Sequence, residues 1–395
     1  MSNNSRYIST HGLQVDADFY AFINQNVIAG LNIDQAKFWQ GAAALIEALA
    51  PENKALLAQR KKLQNQIDAF YEENGGDVSI QESEAFLRDI GYLTEEGEDF
   101  TISTSHVDEE IATIAGPQLV VPISNARYVL NAMNARWGSL YDALYGTDVI
   151  SEEDGAEKGK AFNPIRAEKV IDWAKRFLDE IAPLQHTSWI DITGFEIQNG
   201  ALILYQESQD NKAHDSLKEA ALFKGYKGNP DSPTSVLLQH NDLHLEIMID
   251  ANTPAGAIDK ASISDIILES AVSTIVDLED SVAVVDAEDK IQAYGNWLGL
   301  MRGELQERVE KGKRSFIRTL NQDRDYISPQ GDGFSLHGRS LVFVRNVGHL
   351  MTNPTILLAD GSEIPEGIMD AIFTSLIALY DLRKNGGQGE TVRKN

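Results

Sequence analysis

Ser273-Thr274-Ile275-Val276-Asp277-Leu278-Glu279-Asp280 starts apolar and ends acidic. A short run of this kind, rich in β-branched residues, has the length of a buried strand. Leu341-Val342-Phe343-Val344-Arg345-Asn346 has the same form, and Pro117-Gln118-Leu119-Val120-Val121-Pro122 is a third such run, bounded by prolines. Helical stretches accompany them. Residues 126–145 follow the first run in chain order and end at Gly146, 264–271 precede the second, and 367–382 follow the third. Strands alternating with helices predict a parallel α/β architecture.

A different texture separates the first run from the second. Asn199-Gly200, a strong hairpin signal, lies between two alternating segments, Trp189 to Phe195 and Ala201 to Tyr205. Val236-Leu237-Leu238 and the segment from His244 to Ile249 flank His240-Asn241-Asp242-Leu243. Period-two alternation here predicts antiparallel strands, so residues 147–262 read as an inserted α/β unit. Residues 303–338, helical and then turn-rich, read as a return to it. At the other end, residues 16–93 carry apolar residues at three- and four-residue steps. Pro51 is expected to open a second helix in its first turn, with Gly75-Gly76 ending it and a shorter helix over 81–90.

Composition narrows the function. The chain has 395 residues, 34 Lys+Arg against 60 Asp+Glu, and a net charge of −26. Such a balance argues against nucleic acid and anionic membranes as partners, which need a basic face. There is no Cys, which removes disulfides, thiolate metal sites and a Cys nucleophile. The N-terminus lacks a basic segment followed by an apolar run, so no signal peptide is read there. No stretch approaches the roughly 18 uninterrupted apolar residues of a membrane helix. A cytoplasmic location is expected.

In parallel α/β folds ligands bind at the carboxyl ends of the strands. Alternation puts Ile275, Asp277 and Glu279 on one face, and two carboxylates there require a cation or water. Glu279, Asp280 and Ser281 either belong to a ligand site or cap the next helix. Arg345 ends its strand. There it either clamps a small carboxylate or oxyanion in two-point geometry or pairs with a neighbouring acid. His349 reads as structural. His240 and His244 have zinc spacing but fall on a turn and a strand, and Gly386-Gly387-Gln388-Gly389 lacks the rest of a phosphate loop. Arg127, Arg136, Arg318 and Arg324 are phosphate-binding or ion-pair candidates in an acidic chain.

The segments 115–147, 273–291 and 336–353 resemble the first three barrel units of the malate synthase G family, a resemblance that runs over nearly the whole chain. It implies condensation of acetyl-CoA with glyoxylate and thioester hydrolysis to malate and CoA. It also implies a TIM (β/α)8 barrel with an N-terminal helical clasp and an inserted α/β domain. The corresponding division is a clasp over 1–93, barrel segments over 94–146, 263–302 and 339–395, an inserted domain over 147–262, and its return over 303–338. Arg345 matches the catalytic arginine that binds glyoxylate. Val120, Arg127, Tyr128, Ser281 and Arg318 match acetyl-CoA contacts, and Glu279 matches an outer-shell acid near Mg2+. The family's direct metal ligands and catalytic base would fall beyond Asn395. The barrel is therefore expected to be incomplete, and the 395 residues alone are expected to be inactive. The intact enzyme is expected to be a monomer. Two other readings are a non-catalytic module binding acetyl-CoA or a partner, and another acyl-CoA barrel lyase.

Overall fold

A computed structural model describes residues 6–207, 213–311 and 314–383. Its centre is a three-stranded parallel sheet built from Gln118–Pro122, Ser273–Asp277 and Leu341–Arg345, with the second strand in the middle. Register aligns the strand ends, so Asp277 lies between Pro122 and Arg345. The order follows the chain, as in successive units of a barrel, but among the described residues the sheet is open at both edges and no closed barrel is present.

The first strand is not buried as its composition predicts. It is an edge strand, and Leu119 and Val120 are 36% and 49% exposed. Each strand is followed by a helix, Ala126–Asn134, Ala287–Arg302 and Glu366–Leu382 respectively. The last two pack against the N-terminal helices through an aromatic cluster. Phe19 meets Phe373 edge-on with centroids 5.0 Å apart, and Trp39 and Tyr294 close the group. Such pairs add about 0.5–1.5 kcal/mol beyond area burial.

Pro51 does not open a new helix. It sits inside one long helix, Gln35–Glu73. Proline removes the bond to the carbonyl of residue 47, but Glu47 is exposed, so water can satisfy that oxygen. The helix ends before Gly75 and Gly76, both at positive φ. Its outer half stacks Phe70 on Phe86 of the helix Ile80–Asp89, with centroids 4.0 Å apart. The N-terminal hairpin Tyr7–Thr10 and Leu13–Asp16 joins Thr352–Leu357 and Glu363–Pro365 in a four-stranded sheet.

The antiparallel texture is real and extends further than the sequence predicts. One seven-stranded sheet runs Gly333–Leu336, Arg324–Ile327, Phe223–Asn229, Ser232–His240, Leu243–Ile249, Ile263–Glu269 and Trp137–Ser139. Asn199 and Gly200 both take positive φ in a hairpin turn, as do Asn241 and Asp242.

Three predicted helices fail. Residues 264–271 belong to the strand Ile263–Glu269. A bulge skips Ser264 in the pairing with Met248 and Ile249, so Ile263 and Ile266 both turn inward at a spacing that imitates a helix. The stretch 126–145 is two helices, Ala126–Asn134 and Leu140–Gly146, separated by the strand Trp137–Ser139 that edges the sheet. The charged segment after residue 303 is the hairpin Glu307–Lys311 and Arg314–Arg318. The Gly386–Gly389 loop lies outside the described residues. Among the described residues no helix is long and apolar enough to cross a membrane.

Candidate active site

At the carboxyl end of the parallel sheet Arg345 takes the second of its two alternatives and pairs with neighbouring acids. Its Nε donates to Asp277 Oδ1 at 2.8 Å and its Nη2 to Asp277 Oδ2 at 2.9 Å, a two-point pair. Nη2 also lies 3.0 Å from Asp280 Oδ2, and Nε lies 3.7 Å from Glu279 Oε2. Among the described residues the Nη1 end of the fork takes no partner, and the side chain is 37% exposed. The guanidinium is thus fixed at Nε and Nη2 and keeps Nη1 uncommitted among the described residues.

Asp277, buried in the middle strand, organises the loop that follows. Its carboxylate accepts from the amides of Glu279, Asp280 and Ser281 at 2.9, 3.1 and 2.9 Å, and from the Ser281 hydroxyl at 2.7 Å. Those three residues therefore do not cap the next helix, whose N-cap is Asp286. They are themselves capped by Asp277.

Burial pushes the Asp277 carboxyl up, but the bonds from Arg345, the Glu279 amide and Ser281 outweigh it and hold the group well below the usual carboxylate range. A depressed carboxyl stabilises the fold fully above its ordinary value of about 3.9 and loses that contribution as pH falls below it. Asp277→Asn is accordingly expected to lower the melting temperature at neutral pH and to flatten the loss of stability below about pH 4. Melting curves that fall in parallel for both proteins would remove Asp277 from this role.

The acetyl-CoA candidates are spread over the edge strand, the helix after it, the loop after Asp277 and the hairpin. Val120 pairs with Ile275 on the exposed edge strand. Arg127 and Tyr128 are exposed in the first turn of the helix Ala126–Asn134, where the Asn125 side chain accepts from the Tyr128 amide at 3.1 Å. Ser281 is held by Asp277. Arg318 comes from the hairpin, which meets the far end of that helix. There Asn134 Nδ2 donates to the Thr319 carbonyl at 2.9 Å, and a cavity of about 430 Å³ opens between Asn131, Phe316 and Arg318. Arg127 and Arg318 therefore flank one short helix, on the order of 10 Å long between residues 127 and 134.

The other arginine candidates are structural. Arg136 is buried between Glu110 and Glu269, and Arg324 pairs with the buried Glu246. His244 Nδ1 lies 2.7 Å from Glu269 rather than facing His240, and His349 is exposed.

The donor set does not suit a directly bound divalent cation. Hard cations take about six oxygen ligands, yet the Asp277 oxygens are committed to Arg345 and the loop amides. Among the described residues no group of three or more His, Cys, Asp or Glu is arranged to hold a metal. Glu279, beside Gly348 and Arg345, is placed for an outer-shell contact at most.

Two family models match the chain: malate synthase, N-terminal domain, over residues 18–75, and malate synthase G, alpha-beta insertion domain, over 162–240. Malate synthase G of Halalkalibacterium halodurans is 50% identical over 380 residues, which is 96% of this chain and 52% of that protein. The chain is homologous to malate synthase G. The Corynebacterium efficiens malate synthase G is 50% identical over 393 residues, covering 98% of this chain and 52% of its own length. That of Corynebacterium glutamicum is 49% identical over 378 residues, 96% of this chain and 50% of its own. The chain spans about half the length of the curated relatives it matches.

Asp277, which the sequence marks only as one of two carboxylates on a strand face that need a cation or water, is the residue that organises this end of the sheet. Its signal is an acid at the end of an apolar strand, in the quoted run itself. Its partner is invisible until the parallel register sets Asp277 opposite Arg345.

Proposed function

We propose that this chain supplies the glyoxylate-binding arginine and part of the acetyl-CoA surface of a Mg2+-dependent malate synthase in the cytoplasm, monomeric when intact. The observation that carries the proposal is the half-committed fork of Arg345 at the end of the parallel sheet. The bound nitrogens fix its direction, and the uncommitted Nη1, on a side chain that is part exposed, is left for a small 2-oxo acid.

In the reaction the acetyl methyl of acetyl-CoA loses a proton and its carbon attacks the aldehyde carbon of glyoxylate. The aldehyde oxygen takes up the electron pair, and water then cleaves the thioester to give malate and CoA. Arg345 holds glyoxylate and meets the charge that develops on the aldehyde oxygen. A preoriented cation does this with little reorganisation at the moment of reaction.

Asp277, Glu279 and Asp280 outnumber Arg345 by three charges to one, so an anionic substrate needs further positive charge nearby. A divalent ion supplies that charge when bound, with Glu279 as its outer-shell partner. Arg127 and Arg318 provide cations for the phosphates of CoA on a chain that is otherwise strongly acidic, and Val120, Tyr128 and Ser281 complete that surface. We further infer that the three parallel strands belong to a closed (β/α)8 barrel in the whole enzyme. Three strands in chain order with the active groups at their carboxyl ends fit that architecture.

The test is glyoxylate-dependent release of CoA thiol by the whole enzyme carrying this chain, with acetyl-CoA and Mg2+. Residues 1–395 alone are expected to show none. Faster thiol release with a longer 2-oxo acid would favour another acyl-CoA lyase. Acetyl-CoA binding without turnover in the whole enzyme would favour a non-catalytic module.

A further inference from the structure

Behind Arg345 lies a buried polar cluster that the chemistry above does not use. Lys290, wholly buried on the helix Ala287–Arg302, places Nζ 2.6 Å from Asp370 Oδ1 and 2.7 Å from Glu366 Oε1. The Tyr294 hydroxyl donates to the same Asp370 oxygen at 2.5 Å. The other oxygen of Asp370 accepts from the backbone N–H of Val347 at 3.1 Å.

Val347 is two residues past Arg345. Its neighbour Asn346 is also gripped, with Oδ1 3.2 Å from the Thr374 hydroxyl. Gly367 lets the helix Glu366–Leu382 close on this segment, since a Cβ there would come 2.6 Å from the Val347 carbonyl. The chain leaving Arg345 is thus held from beneath by one helix, and that helix is pinned by a cation and a phenol from the next.

Burying one lysine with two carboxylates is costly unless each group is satisfied. A plain apolar contact between the two helices would be cheaper. Asp370 reaches the segment that leaves Arg345 through the Val347 amide. Resting on the proposed reading of Arg345, we propose that Asp370, held by Lys290 and Tyr294, is a positioning residue that sets Arg345 for glyoxylate. Asp277 holds the tip of the guanidinium, with Asp280 and Glu279 beside it, and the placement of the Arg345 Cα sets the other end, and so where the Nη1 end points. Misplacement by about 1 Å can cost on the order of 100-fold in rate.

Asp370→Asn is the sharp test. Lys290 keeps Glu366, so the lysine retains a counter-charge, but one amide oxygen cannot serve both Lys290 and Val347. In the whole enzyme, kcat/KM for glyoxylate is expected to fall by about 10–100-fold, with the KM for acetyl-CoA within about twofold of wild type and the melting curve still cooperative. A merely structural acid would lower stability or affect both substrates alike.

Thr374→Val, which removes only the contact to Asn346 and a bond within its own helix, is expected to cause a smaller, glyoxylate-selective loss. It decides the matter if Asp370→Asn does not fold. Arg345→Lys run in parallel separates the two levels of inference. If it is crippled while folded Asp370→Asn, or Thr374→Val in its place, leaves glyoxylate kinetics unchanged, the positioning role is overturned. If Arg345→Lys itself is unaffected, the reading of the site falls instead.

Discussion

Arg345→Lys in the whole enzyme is expected to lower kcat by about 10²–10³-fold, the usual effect of removing one donor from a developing oxyanion. The substitution keeps the charge, so a purely Coulombic role would survive it. The proposed role would not. Arg345 uses Nε and Nη2 on Asp277 and turns a different nitrogen outward, and an ammonium has no second, rigidly linked edge. Lysine would spend its one charged group among Asp277, Glu279 and Asp280 and leave none for glyoxylate. Because the lost interaction strengthens only as the alkoxide forms, kcat and kcat/KM for glyoxylate should fall together while the KM for acetyl-CoA holds. Steady-state kinetics with each substrate varied in turn, alongside a thermal melt, measure this. A near-normal kcat would take Arg345 out of the chemistry.

The parts of this site that the sequence announces are those written in one strand. Leu341 to Arg345 reads as a strand ending in a cation, and Ser273 to Asp277 as one ending in an acid, because β-branched runs with polar ends have few other uses. That they are neighbours depends on parallel pairing across a long insertion, a non-local fact that no periodicity records. The same limit explains the misread elements. Ile263 and Ile266 imitate helical spacing only because a bulge reverses the alternation between them. Trp137–Ser139 is too short for a pattern of its own and is a strand because Ile267–Glu269 lies beside it. Pro51 breaks no helix because the one hydrogen bond it removes is at Glu47, an exposed residue whose carbonyl water can satisfy. The cluster at Lys290 is equally hidden, since its four side chains come from the helices Ala287–Arg302 and Glu366–Leu382, far apart in the chain.

Arg136→Met is expected to be the most destabilising single change outside the apolar core, at about 3–5 kcal/mol, the cost of removing one partner from a buried ion pair. Arg136 donates to Glu269 at 2.6 and 2.8 Å and to Glu110 at 2.8 Å, with all three side chains 5% exposed or less. Methionine fills much of the volume but leaves two carboxylates without their cation.

The position makes the effect global. The Arg136 carbonyl accepts from the Ser270 amide, where the strand Ile263–Glu269 hands over to Ser273–Asp277. Its Nη1 also reaches the Arg339 carbonyl, at 3.3 Å, just before Leu341–Arg345 begins. Arg136 therefore ties the seven-stranded sheet to the entry ends of two parallel strands, by its backbone carbonyl at Ser270 and by its guanidinium at Arg339, opposite the end that carries Asp277 and Arg345. Arg136→Met combined with Glu269→Gln should be less damaging than the sum of the two single changes by about 1–3 kcal/mol, because the second change removes a charge that the first left stranded. Urea unfolding of the four proteins measures that coupling. Strict additivity would mean that the pair contributes through packing alone.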